Sequence, residues 1–288
     1  MLQSNYSFIQ KLLHRLALSS VTSRRAGFEL ENLLFRSPSK KTDSHAFVTG
    51  MARSGTTAML NAIESTGKFA SLTYEDMPFL LCPNLWKLLR PKNVKSTFIE
   101  RAHGDGLLIS IKSAEAFEEV FWSTFDYDSG FERIEKYIGF ILKLHNKSRY
   151  LSKNNQNYQR IGDLAKKFPK SNFFIMYRNP LQQSNSLLQQ HQRFCATQKE
   201  DRFVYDYMNL IGHTEFGASY KPPFETDSSF MDYGSLNHWL EQWIFFYSEL
   251  KRKSKNLDNV LFISYEKLCN DTKIWEMLCD RLGLSNAT

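Results

Sequence analysis

Three stretches of this 288-residue chain place chemically capable side chains at informative spacings. The first is Gly50-Met-Ala-Arg53-Ser54-Gly55-Thr56-Thr57. It lies between an apolar run, Ala46 to Val48, and a segment with apolar residues at Met59, Leu60 and Ile63. Strand, glycine loop and helix in that order cradle an anion with backbone N–H groups and the positive end of the helix. The nucleoside-triphosphate version of such a loop needs Lys directly after its second glycine, to reach the β- and γ-phosphates. Thr56 stands there instead, and the cation is Arg53 inside the loop. This loop is poorly equipped for a γ-phosphate with its Mg²⁺, yet it can hold one phosphate and one neighbouring anionic group. The second stretch is Arg178, which closes the apolar run from Ser171 to Tyr177 and is followed by Asn179-Pro180. An arginine at the carboxyl end of a strand can grip phosphate through two parallel hydrogen bonds. The third is acidic. Glu75 and Asp76 lie about twenty residues past the glycine loop, where the end of a second parallel strand would face the ligand crevice. A carboxylate there would serve as a general base; the plainer alternative is two solvated loop acids. His103, in the turn-rich segment Glu100 to Gly106, is a reserve for the base or for acceptor binding.

These groups need a scaffold, and the periodicities supply one. Residues 45–49, 172–177 and 260–265 read as buried strands expected in one sheet, with Gly50, Arg178 and Tyr265 at the same edge. Helices are expected at Glu115 to Trp122, Ile134 to Leu151, Ile161 to Phe168, after Arg178 through Ser186, and Leu236 to Lys253. The last carries an aromatic stripe, with Trp239, Trp243, Ile244 and Tyr247 expected in the core. Pro78 and Pro83 mark an irregular segment. Residues 195–235, polar and rich in turns, read as an insertion near an acceptor site. Residues 5–38 show helical periodicity with Lys11, His14, Arg15, Arg24 and Arg25 on the polar face. This is a helical segment packed on the domain, with a basic membrane-surface helix as the alternative. Strand–helix alternation of this kind points to an α/β fold.

Composition is that of a globular protein, and the formal net charge of +7 suits an anionic ligand. No long Lys/Arg block or arginine-rich tail occurs, which argues against nucleic-acid binding. Cys82, Cys195, Cys269 and Cys279 form no C-x-x-C pair and have no histidine at metal-ligand spacing. Free thiols, with no apolar stretch of membrane-spanning length and no secretory leader pattern, suggest a cytoplasmic protein.

Taken together, Gly50-x-x-Arg53-Ser54-Gly55-Thr56-Thr57 resembles the 5′-phosphosulfate loop of the sulfotransferases, whose donor is 3′-phosphoadenosine 5′-phosphosulfate. That family also carries an Arg closing a strand, then Asp/Asn-Pro, then a Ser eight positions after the Arg. Arg178 and Ser186 have this spacing, and the resemblance assigns both to the donor's 3′-phosphate. Tyr265-Glu266-Lys267-Leu268 is similar to the family's Tyr-Glu-Asp-Leu segment, with Lys267 in place of Asp, and implies Tyr265 near the adenine. Lys153 stands where tyrosylprotein sulfotransferases have a catalytic lysine; an exposed loop amine is the alternative. The family's Arg-Lys-Gly donor segment is not visible. The resemblance runs from about His45 to Leu284 and is nearest the bacterial carbohydrate-type and tyrosylprotein-type branches.

It implies one domain over residues 1–288, with residues 1–43 packed on it as a helical segment. The fold it implies is a three-layer α/β P-loop-type domain with a mainly parallel central sheet. The implied donor-site residues are Arg53, Ser54, Gly55, Thr56, Thr57, Arg178, Ser186 and Tyr265. The implied catalytic groups are Arg53, Lys153 and the Glu75/Asp76 pair, without a metal. The acceptor is a hydroxyl-bearing carbohydrate or related small molecule. A P-loop kinase or nucleotide hydrolase, disfavoured by the absent loop lysine, and a non-catalytic nucleotide-binding protein are the rival classes. The sequence does not fix the oligomeric state.

Overall fold

A computed structural model of the chain describes residues 8–35, 44–91, 98–100, 108–225 and 232–284. In chain order the elements begin with α1 (Phe8–Leu18), α2 (Val21–Leu34), β1 (Ala46–Thr49), α3 (Thr56–Glu64) and α4 (Pro83–Leu89). There follow β2 (Ile99–Glu100), β3 (Leu108–Ile109), α5 (Glu119–Trp122), α6 (Tyr127–His145), β4 (Leu151–Lys153) and α7 (Ile161–Lys167). The chain continues through β5 (Asn172–Tyr177), α8 (Pro180–Glu200), α9 (Arg202–Leu210) and α10 (Leu236–Lys253). It closes with β6 (Val260–Ser264), α11 (Tyr265–Asn270) and α12 (Thr272–Arg281). Tight three-residue-per-turn segments cover Tyr74–Asp76 and Asn155–Gln159. The elements form two compact units: Met1–Thr42, Lys68–Tyr150 and Thr197–His213 in the first, Asp43–Gly67, Leu151–Ala196 and Thr214–Thr288 in the second.

The second unit is organised by a parallel sheet in the order β4-β1-β5-β6. Phe47 of β1 stands opposite Ser152 on one side and Phe173 on the other. Every residue of β1 and β4 is buried, as are Asn172 to Met176 of β5, so both faces are covered. That is the normal state of parallel strands and explains why their sequences run apolar without alternation. The Phe47 and Phe173 rings stack at 4.6 Å. After β1 the chain adds β4 on one side, then crosses to the other side for β5 and β6. Such a reversal of strand order opens a crevice at the carboxyl end of the central strand. Because the strands are parallel, Gly50, Asn154, Arg178 and Tyr265, each the first residue after a strand, emerge at that one edge.

The first unit is built on aromatic packing. Phe121 stacks on Tyr137 of α6 at 4.5 Å, and Phe28 of α2 meets Phe140 at 5.3 Å. Buried Glu31 of α2 caps α4: Oε1 accepts from the Asn84 N–H at 2.8 Å and its Nδ2 at 2.7 Å, and Oε2 from the Leu85 N–H at 3.0 Å. A carboxylate at a helix start satisfies donors that have no partner within the helix, and Pro83 fits at the first helical position, where no N–H is needed.

Several expectations need correction. Pro83 starts a helix rather than keeping its segment irregular. The helix expected to run from Ile134 to Leu151 ends at His145, because Asn146 takes the left-handed conformation (φ 50). Leu151 instead enters β4, a three-residue strand too short to announce itself. α8 continues past Ser186 to Glu200, and α9 occupies part of the stretch read as an insertion. On α2, Leu30, Leu33 and Leu34 are exposed while Glu31 is buried, so capping demand overrode the apolar pattern. Ile244 is exposed, although Trp239, Tyr247 and Leu250 on the same helix are buried.

Candidate active site

The glycine loop joins β1 to α3 through three residues at positive φ: Gly50 (156°), Arg53 (69°) and Gly55 (93°). A Cβ on Gly50 would stand 2.4 Å from the Met176 carbonyl oxygen, and one on Gly55 would stand 2.3 Å from the Tyr265 ring. Both glycines are therefore demanded by close approach of the ends of β5 and β6. Arg53 has no such licence. A non-glycine residue held in this region costs on the order of 1 kcal/mol and points to a functional constraint. The conformation lets its Nε donate to Ser186 Oγ on α8 at 3.1 Å. The loop expected for the 5′-phosphosulfate and the serine expected for the 3′-phosphate are thus in direct contact. Ser54 and Thr56 are buried beneath the loop.

Neutral donors hold the loop's carbonyls. Gln183, fully buried on α8, donates from Nε2 to Met51 O at 3.2 Å and to Ala52 O at 3.1 Å. Its Oε1 accepts from Trp243 Nε1 at 3.0 Å. The Tyr247 hydroxyl donates to Met176 O at 2.8 Å, and burial pushes its pKa up, so it stays protonated as a donor. The sequence showed Trp243 and Tyr247 only as core aromatics. Gln183 was missed, although it sits three positions before Ser186 and so on the same face of α8.

At the end of β5, Arg178 donates from Nη2 to Gln182 Oε1 at 3.1 Å, lies 3.9 Å from Glu266 Oε1, and sits over the Tyr265 ring at 5.6 Å. Glu266 also accepts the Asn179 N–H at 2.8 Å and the Ser264 hydroxyl at 2.9 Å. Burial alone would raise its pKa, but these donors and Arg178 outweigh it, and the carboxyl is held below its usual value. Lys153 is the last residue of β4, buried and in register with Val48 of β1; the Asn154 N–H that follows donates to Val48 O at 3.0 Å. It closes a strand at the carboxyl edge of the sheet rather than riding on an exposed loop.

The sequence model of the family described as "Sulfotransferase family" matches residues 46–287. The chain belongs to the sulfotransferase family. It is accordingly an enzyme of sulfonate transfer. Its fold is similar to that of sulfotransferase STF1 from Mycobacterium tuberculosis H37Rv, at a TM-score of 0.54 and 13% identity, over 98% of this chain and 79% of that one. Sulfotransferase STF9 from Mycobacterium avium is similar at a TM-score of 0.56 and 12% identity, over 97% and 74% of the two chains. The sequence matches no curated protein.

In this sulfotransferase the acidic pair belongs to the first unit. Asp76 Oδ2 accepts from the Thr73 N–H at 2.8 Å and its hydroxyl at 2.9 Å, and Oδ1 lies 3.4 Å from Arg90 Nη1. Burial raises the Asp76 pKa against the pull of Thr73 and Arg90. Glu75 Oε2 lies 3.1 Å from Arg90 Nη2, and its side chain is 35% exposed against 1% for Asp76. His103 lies outside the described residues. Among the described residues no His, Cys, Asp and Glu side chains group as metal ligands, and no helix is long and apolar enough to cross a membrane.

Proposed function

We propose that this sulfotransferase moves the sulfonate of 3′-phosphoadenosine 5′-phosphosulfate to the hydroxyl of a carbohydrate or related small molecule. The observation that carries the donor assignment is the 3.1 Å hydrogen bond from Arg53 to Ser186. It joins two segments, 133 residues apart, that separately match a 5′-phosphosulfate loop and a 3′-phosphate site. The donor fits on a further ground: Arg53 and Arg178, one on each of the two segments, supply two cations for its two anionic groups.

The acceptor oxygen attacks sulfur in line, the bond from sulfur to the 5′-phosphate oxygen breaks, and 3′,5′-adenosine bisphosphate leaves with the bonding pair. The acceptor proton passes to a carboxylate. Glu75 is our choice within the pair, because both Oδ2 hydrogen bonds of Asp76 serve the turn at Thr73. Arg53 and Lys153 stabilise the charge that develops on the sulfonate and the leaving oxygen. Ser54, Thr56 and Thr57 complete the loop, and Tyr265 lies against the adenine. Four free cysteines support a cytoplasmic setting.

The test is transfer of radiolabelled sulfonate from this donor to a library of sugars and alcohols, beside ATP turnover with Mg²⁺. Label on a hydroxyl acceptor and no ATP turnover is expected. ATP turnover without sulfonate transfer would establish the kinase class instead.

A further inference from the structure

We propose that a cavity of about 190 Å³ in the second unit is the acceptor's ring subsite, built for one neutral pyranoside and read by Glu215. This inference rests on the sulfonate-transfer reading above. Met51 and Ala52 of the glycine loop form part of its wall, so a ligand there touches the same loop that is proposed to hold the sulfonate donor. The size suits a single ring rather than an extended chain, since sites for drug-sized ligands run from about 300 Å³ upward.

The lining is chemically mixed in a way that matches a sugar. Tyr158, Tyr220 and Phe246 bring aromatic surface, which packs against the C–H face of a pyranose. Asn155, Gln156, Thr214 and Glu215 bring amide, hydroxyl and carboxylate groups, which exchange hydrogen bonds with ring hydroxyls. The polar groups are linked. Asn155 Nδ2 donates to Glu215 Oε1 at 3.3 Å, and Gln156 Nε2 reaches Thr214 Oγ1 at 3.5 Å. The Tyr220 hydroxyl is engaged with His238 Nε2 at 2.8 Å, which fixes the ring's orientation. Asn155 itself is placed by the core, because its carbonyl accepts from the Thr49 hydroxyl at 3.4 Å, at the end of β1.

Charge selects the class. Glu215 is the acidic group of the lining; the other charged group, Lys221, is exposed, so its ammonium is largely solvated. A carboxylate accepts from neutral hydroxyls and repels a uronic acid or an already sulfated ring. Glu215 is a specificity residue here, distinct from the base.

The probes are methyl β-D-glucopyranoside, methyl N-acetyl-β-D-glucosaminide and methyl β-D-glucuronide. Each is measured by saturation-transfer NMR on the full chain, with and without 3′,5′-adenosine bisphosphate. At least one neutral glycoside should receive saturation and the glucuronide should not. Glu215→Ala should weaken the neutral glycoside by about tenfold or more, as expected for loss of a hydrogen bond to a charged group. Glu215→Gln should narrow the gap between neutral and anionic rings. Gln159→Ala, at an exposed position of the lining, should weaken binding without disturbing the fold. The melting-temperature rise caused by the bisphosphate should be the same in all three variants. The proposal is overturned if no neutral glycoside receives saturation, if the glucuronide binds better than the neutral rings, or if the variants bind as the parent does. Glycoside binding with no response to the bisphosphate would instead overturn the donor reading and leave the cavity's assignment standing.

Discussion

The glycine loop of the second unit and the acidic turn of the first use charge in opposite ways. Around the loop, the carbonyls of Met51, Ala52 and Met176 are held by neutral donors, Gln183 and Tyr247. Arg53 meets a hydroxyl, Ser186. At the acidic turn, Glu75 and Asp76 both face one guanidinium, Arg90, and Asp76 also closes the turn through Thr73. Neutral hydrogen bonds hold the backbone around the loop, whereas ion pairing with Arg90 holds the acidic turn. The proposed donor loop is thus shaped by neutral groups, and the proposed base lies in a turn shaped by charge. Glu75, the more open of the two acids, is the proposed base.

That comparison can be broken most sharply at the acidic pair. Glu75→Gln should lower kcat by about 10²–10⁴-fold with bisphosphate affinity intact, because it removes proton acceptance while keeping the side chain's size; the Arg90 ion pair it also loses acts on stability. Asp76→Asn should instead lower stability, by about 1 kcal/mol, and retain transfer. Urea denaturation and label transfer on both variants distinguish the roles, and inactivity of Asp76→Asn with active Glu75→Gln would reverse them. Lys153→Ala should cost about 10²–10³-fold in kcat with little change in donor affinity, since the charge it answers develops only at transfer. A wild-type rate would remove Lys153 from the chemistry.

Gln183→Leu tests the neutral scaffold. Two loop carbonyls lose their donor in a buried setting, at a cost of about 1–3 kcal/mol in stability, with weaker bisphosphate binding as the loop relaxes. An unchanged Kd would show that the loop holds its shape without this side chain.

The smallest effect concerns acid sensitivity of the first unit. Burial, with Lys147, Lys87 and Arg90 adding to it against Glu75, lowers the His145 pKa from 6.5 to about 4. The unfolded chain then binds the proton first, so stability is full above the unfolded value and falls as pH drops from 6.5 towards 4. The ceiling is about 3 kcal/mol, and partial exposure of the ring makes the observed loss smaller. His145→Gln should flatten the fall in melting temperature across that window.

Legibility in the sequence followed the physics of each feature. The glycine loop could be read because backbone in the left-handed region calls for glycine, and its function class because Arg53 replaces the expected lysine. The strands of β1 and β5 could be read because burial on both faces makes them apolar; β6, at the sheet edge with only Ile263 buried, could be read because its apolar run is continuous all the same. β4 could not, since Leu151 to Lys153 is too short for a period and follows a helix whose stop is an asparagine rather than glycine. α8 was cut short because its glutamines hide the apolar stripe, and the same polarity hid Gln183. The proposed acceptor cavity was legible only in part, through the stretch 195–235 read as lying near an acceptor site, because its lining comes from five separate segments.

The most direct test of the donor site is a calorimetric cycle with two ligands, 3′,5′-adenosine bisphosphate and 5′-adenosine monophosphate, and two proteins, the parent and Arg178→Ala. Arg178 sits at the end of β5 beside the Asn179 N–H, and a charge-assisted contact to the 3′-phosphate is worth about 1.5–3 kcal/mol. The substitution should therefore weaken the bisphosphate by about 10–100-fold and leave the monophosphate nearly unchanged. Equal losses for the two ligands would show that Arg178 does not hold a 3′-phosphate, and would contradict the donor assignment at its second loop.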